Sequence, residues 1–150
     1  MSIKSFIQAA QSLYQTGYYN EALCLVCNVI DCCAANEHPQ LSVTNRYKKF
    51  LSQHFRTISR IGFPGIEASK IRIKLEDQIE SLRPDEWGYV DMEQIIYHTI
   101  RCGLVHTCSI EDSIIFVNQT MIGNWQNGRF YMPKNLICGL IAAVEESLDQ

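Results

Sequence analysis

Apolar side chains recur at Ile3, Phe6, Ile7, Ala10, Leu13 and Tyr14. That i, i+3, i+4 rhythm predicts an amphipathic helix, started by Ser2 as N-cap and stopped at Gly17. A second helix, NEALCLVCNVIDCCAAN, is expected with Asn20 as its cap. It is apolar around most of its circumference, so it should run through the centre of a bundle. Ser42 opens a third, SVTNRYKKFLSQHFRTIS, with Val43, Tyr47, Phe50, Leu51 and Phe55 on its core side. Gly62, Pro64 and Gly65 then break the chain. SKIRIKLEDQIESL shows a strand-like alternation at Ile71, Ile73 and Leu75 ahead of a helical tail, and the stretch as a whole reads as helix. After RPDEWG comes the clearest helix, YVDMEQIIYHTIRCGLVHTC, whose stripe runs Met92, Ile95, Ile96, Ile100, Leu104.

The pattern then changes character. SIIFV is a β-branched run, and Asn127-Gly128 between MIGNWQ and RFYM is a short hairpin signal. Two or three short strands are expected there, before Pro133 opens a last helix, PKNLICGLIAAVEESL. The fold class that follows is all-α. It is a bundle of four to six helices with a small β-hairpin appendage before the last one, forming one domain over residues 1–150.

Composition narrows the class. The longest apolar run, Ala22 to Ile30, has nine residues and includes an asparagine, against the roughly 20 that span a bilayer. The start of the chain has one lysine and an apolar rhythm interrupted by glutamines, which is not a signal peptide. A cytoplasmic protein without membrane partners is expected. The seven cysteines are irregularly spaced, and Cys24, Cys27, Cys32 and Cys33 share one helix, which suits reduced core thiols better than a disulfide scaffold or a zinc site.

The net charge of −3 speaks against nonspecific coating of nucleic acid, but the distribution is uneven. Arg46, Lys48, Lys49, Arg56, Arg60, Lys70, Arg72 and Lys74 are eight of the 13 Lys and Arg residues, and only Glu67 opposes them within that span. Such a patch can hold phosphates, or can be a solvated face balanced by acidic neighbours in the fold.

The chemistry-bearing stretch is IRCGLVHTCS, where Arg101 and His106 stand among Cys, Gly, Leu, Val and Thr. On a regular helix, positions five apart are rotated by about 140° and separated by about 7.5 Å along the axis. They would flank the apolar stripe on opposite sides. A distortion at Gly103, or a second copy across a two-fold axis, is needed to bring them together. An imidazole can take the proton of a ribose 2′-hydroxyl, and a guanidinium can hold the phosphate that is attacked. Such a site needs no metal or other cofactor and would leave a 2′,3′-cyclic phosphate. Tyr97 and His98 share the arginine's side of the helix and are candidates for holding a base and a phosphate. Asp31, a charge late in an apolar helix, is a candidate partner for Arg101 or His106. Trp87 and Trp125, in polar loops, either stack on a base or close a core edge.

RCGLVH, Arg101 to His106, resembles the R-x4-6-H motif of the HEPN superfamily. GYYNEALCLVCNVID and RYKKFL look like that superfamily's central buried helix and the helix after it. The resemblance implies a HEPN-like helical bundle, often a homodimer. It also implies a metal-independent endoribonuclease of toxin–antitoxin or phage-defence type, with Arg101 stabilising the phosphate and His106 transferring the proton. Arg46, Lys48 and Lys49 would then track the RNA backbone, and an antitoxin protein is an expected partner. The alternative from another class is a non-catalytic dimeric module for protein interaction or for nucleotide or RNA binding. Geometry discriminates between them. An open cleft shared by Arg101 and His106 favours cleavage, whereas burial against carboxylates favours the module.

Overall fold

The computed structural model describes residues 2–119, 121 and 124–150. The first helix, α1 (Ile3–Gln15), starts as its sequence predicts. The Ser2 hydroxyl accepts the Ser5 N–H, and the Ser5 side chain returns a bond to the Ser2 backbone. Helix α2 (Tyr19–Glu37) begins at Tyr19 rather than after Asn20, and no side chain caps it. It is the central helix that its all-round apolar character predicts, with Ala22, Leu23, Val26, Cys27, Ile30 and Ala34 at most 0% exposed.

The third predicted helix is two. α3 (Val43–Gln53), capped by Ser42, ends at His54, and α4 (Phe55–Gly62) restarts from it. His54 is buried at the break. Its Nδ1 lies 2.8 Å from Glu146 and its Nε2 3.6 Å from Glu37, so the imidazole ties the α3–α4 junction to the ends of two other helices. Helix α4 then packs against α7 (Asn135–Leu148) with almost no side chain between the backbones. A Cβ on Gly139 would stand 2.6 Å from the Ile58 carbonyl oxygen. The last helix begins at Asn135 and not at Pro133, which closes a strand instead.

The all-α expectation is overturned. The fold is mixed, a helical bundle joined by two sheets. In the first, β1 (Arg72–Lys74) pairs antiparallel with β2 (Tyr89–Asp91), with Arg72 opposite Asp91 and Ile73 opposite Val90. The alternation at Ile71, Ile73 and Leu75 thus forms a strand, not the helix that the longer stretch suggested. Period-2 spacing lets Ile71 and Ile73 pack on the core while Arg72 and Lys74 face solvent. The expected helical tail is irregular chain that buries Ile79 and Leu82. The second sheet has the order β3-β5-β4, from β3 (Ile114–Val117), β4 (Asn124–Gln126) and β5 (Arg129–Pro133).

The Asn127-Gly128 turn has the two positive φ angles, 53° and 75°, of a type I′ hairpin. Strand β3 adds to that hairpin by pairing parallel with β5, so the appendage is a three-stranded sheet. Of the stretch MIGNWQ expected to lead into the turn, Ile122 and Gly123 lie outside the described residues. Trp125 closes the seam between the two sheets. Its indole N–H donates to the Lys74 carbonyl at 3.0 Å and its ring packs on Phe130. Among the described residues, no helix is long and apolar enough to cross a membrane.

Candidate functional site

Beyond β2 the chain turns into one continuous helical rod whose winding changes twice. α5 (Met92–Ile95) leads into a π-helical segment, Ile96–Arg101, and then α6 (Cys102–Thr107). In the widened turn the Cys102 N–H bonds to the Tyr97 carbonyl, five residues back. Bulges of this kind re-aim the side chains around them and are frequent at functional sites. Here the segment ends on Arg101.

The Arg101 guanidinium points inward to α2. Its Nε and Nη2 both donate to Asp31 Oδ2, at 3.0 and 2.8 Å. Two tyrosine rings flank it, Tyr97 with its centroid 5.2 Å away and Tyr47 at 5.8 Å. Only Nη1 lacks an oxygen partner, and it lies 3.9 Å from Cys102 Sγ. Arg101 is 8% exposed. Burial works against its positive charge, but the Asp31 hydrogen bonds and carboxylate charge outweigh it, so the guanidinium holds its proton more firmly than usual. This cation is consumed by an internal pair.

His106 is placed differently. It lies on the exposed side of α6 and makes no hydrogen bond or ion pair among the described residues. Gly103 does shape the chain here. Cys108 takes the left-handed conformation (φ 56°), the chain folds back, and a Cβ on Gly103 would meet the Ser109 carbonyl oxygen at 2.2 Å. That reversal ends the helix without turning His106 inward. Within one chain, Arg101 faces the core and His106 faces solvent.

Tyr97 is buried, and its hydroxyl accepts a hydrogen bond from Thr44 Oγ1 at 3.0 Å. Two cations flank its ring, Arg101 on one side and the Lys48 ammonium 5.9 Å from the centroid, and the His98 imidazole packs on it edge-on at 5.0 Å. His98 is half-buried. Burial, with the charges of Lys48 and Arg83, pushes its pKa below the usual imidazole value. Burial likewise lowers the Lys48 ammonium, against the pull of Cys102 and Asp91. Arg46 is half-buried with its Nε unbonded, and Lys49 is exposed.

The basic stretch therefore splits. Lys70 pairs with Asp91 at 3.5 Å, and Arg72 pairs with Asp85 and Asp91. Arg46, Lys48 and Lys49 on α3 have no carboxylate partner among the described residues. Beside them lies a cleft of about 260 Å³, lined by Lys48, Lys49, Ser52, Lys70, Asp91 and Glu93. The sequence does not announce this cleft, because α3, the chain before β1 and the start of α5 each supply only part of it. A carboxylate directly after the buried Met92 is its one local sign.

The family model Rv1289 matches residues 2–145. The chain belongs to the Rv1289 family. Curated proteins and solved structures yield no match. None of these comparisons links this Rv1289 family member to HEPN proteins, so that resemblance rests on RCGLVH and the helices before it. Among the described residues no group of three or more His, Cys, Asp or Glu side chains is arranged to hold a metal ion.

Proposed function

We propose that this chain is a non-catalytic module that binds RNA or nucleotides through their phosphates, on the face of Lys48, Lys49 and His98. The observation that carries this reading is the commitment of Arg101 to Asp31. A guanidinium held by two donors on one carboxylate and flanked by two aromatic rings would have to break that pair before it could clamp a scissile phosphate. The lysines of α3, by contrast, stand unpaired beside an open cleft, as a phosphate-tracking surface requires. Arg101 then serves as a structural cation that fixes the π segment to α2, and the module acts in the cytoplasm.

A second reading keeps the HEPN-type endoribonuclease, and the exposure of His106 favours it. In a homodimer, two such imidazoles across a two-fold axis would need a phosphate-binding cation from the partner, and an antitoxin would have to cover them. A mixed RNA pool incubated in excess EDTA with wild type, Arg101→Ala and His106→Ala separates the two. The binding module gives no cleavage by any folded variant. It also gives filter binding that weakens steeply with salt and is lost in Lys48→Ala/Lys49→Ala. Cleavage by wild type alone, leaving 2′,3′-cyclic phosphate ends, would overturn the non-catalytic reading.

A further inference from the structure

The cleft beside Lys48 and Lys49 contains a residue that phosphate binding does not use. Glu93 lines it, is 6% exposed, and carries an Oε2 with no hydrogen-bond partner among the described residues. A buried carboxylate oxygen without a donor costs free energy that folding must supply elsewhere. Lys70, whose charge favours the ionised form of Glu93, already pairs with Asp91.

We infer that Glu93 makes this cleft a base-reading subsite that prefers guanine, with Lys48 and Lys49 holding the adjoining phosphate. The inference rests on the RNA-binding reading above. The cleft combines an acceptor with two unpaired ammonium groups, so it suits a ligand with N–H donors at one end and an anion at the other. At about 260 Å³ it lies just below the ~300–1,000 Å³ usual for ligand pockets, which suits one nucleotide and not a duplex. An ionised carboxylate only accepts hydrogen bonds. The Watson–Crick edge of guanine sets two N–H donors side by side. Adenine, cytosine and uracil each set an acceptor beside the donor, which a carboxylate repels. Desolvation raises the Glu93 pKa, with Asp91 acting in the same direction and the Glu93 backbone N–H and the Lys70 charge acting against it.

Fluorescein-labelled oligoribonucleotides UUXUU, with X as G, A, C or U, test it by anisotropy at pH 7.5. Wild type should bind the G oligonucleotide about tenfold more tightly than the others, the scale of one good base contact. Glu93→Gln, shown to be folded by circular dichroism, should bring the G oligonucleotide down to the level of the other three and leave those three unchanged. Lys49→Ala should weaken all four alike. Equal wild-type binding of the four, or a guanine preference that survives Glu93→Gln, overturns the base-reading role and leaves RNA binding standing. Failure of wild type to bind any of them overturns the RNA-binding reading itself.

Discussion

Replacement of Asp31 by alanine strips the Arg101 guanidinium of its only carboxylate among the described residues. The pair is well shielded, with side chains 10% and 20% exposed, so the Coulombic and hydrogen-bonding loss is little screened. Breaking a buried pair from one side costs about 3–5 kcal/mol, because the remaining charge stays buried without a partner. Asp31 is not wholly enclosed, so the lower end applies, about 3 kcal/mol. In a chain of this length each kcal/mol lowers Tm by about 2–4 °C, and Asp31→Ala should fall by about 6–12 °C.

Arg101→Ala should destabilise comparably, because it leaves Asp31 charged among apolar neighbours and opens a space between Tyr47 and Tyr97. The apolar double replacement Asp31→Leu/Arg101→Met should recover most of the loss, since it removes both charges together. Thermal and urea unfolding of the four proteins, followed by circular dichroism, give the coupling between the two sites. A Tm for Asp31→Ala within 2 °C of wild type, or additive single effects, would refute the argument. Arg101 would then be free for a ligand, and the case for a non-catalytic module would lose its main support.

His54 holds the Glu146 carboxyl below its usual value, with help from Thr57. A depressed carboxylate stabilises the fold above its unfolded pKa and loses that contribution as pH falls through the folded value. The acid limb of a Tm-versus-pH curve should therefore flatten in Glu146→Gln between about pH 5 and 3. Gly139→Ala drives a methyl into the Ile58 carbonyl oxygen and to within 3.1 Å of Gly62 Cα. Neither neighbour is a flexible side-chain end, so α4 and α7 must separate, and a loss of about 1–3 kcal/mol is expected in urea unfolding. Burial pushes the Cys27 thiol up to about 12 and the Cys33 thiol up to about 11. Iodoacetamide at pH 8 should label the exposed Cys32 and Cys108 and spare those two, as read by peptide mass spectrometry.

Much of the helical framework is legible in local pattern. The Ser2 and Ser42 caps, the central apolar helix, the Met92–Leu104 stripe and the Asn127-Gly128 turn all depend on residues a few positions apart. Periodicity and capping report such short-range physics directly. The sheet at Ile71 and Ile73 was visible as an alternation. The longer run around it points the other way, because a three-residue strand is decided by its partner, Tyr89–Asp91, and not by its own propensity. The break at His54 likewise depends on Glu146 and Glu37, which lie far away in sequence.

The candidate site divides along the same line. Sequence alone determined that Arg101, His98 and Tyr97 share one helical region, that Asp31 is an unusual charge in an apolar helix, and that the basic residues cluster before residue 75. Only tertiary structure decided which of these charges remain available. A π turn aimed Arg101 at Asp31, Gly103 ended the helix with His106 outside, and two strands placed Asp85 and Asp91 against Arg72 and Lys70. The physical reason is that a charge's role depends on its nearest opposite charge and on its distance from water. Both are set by contacts between residues remote in the chain.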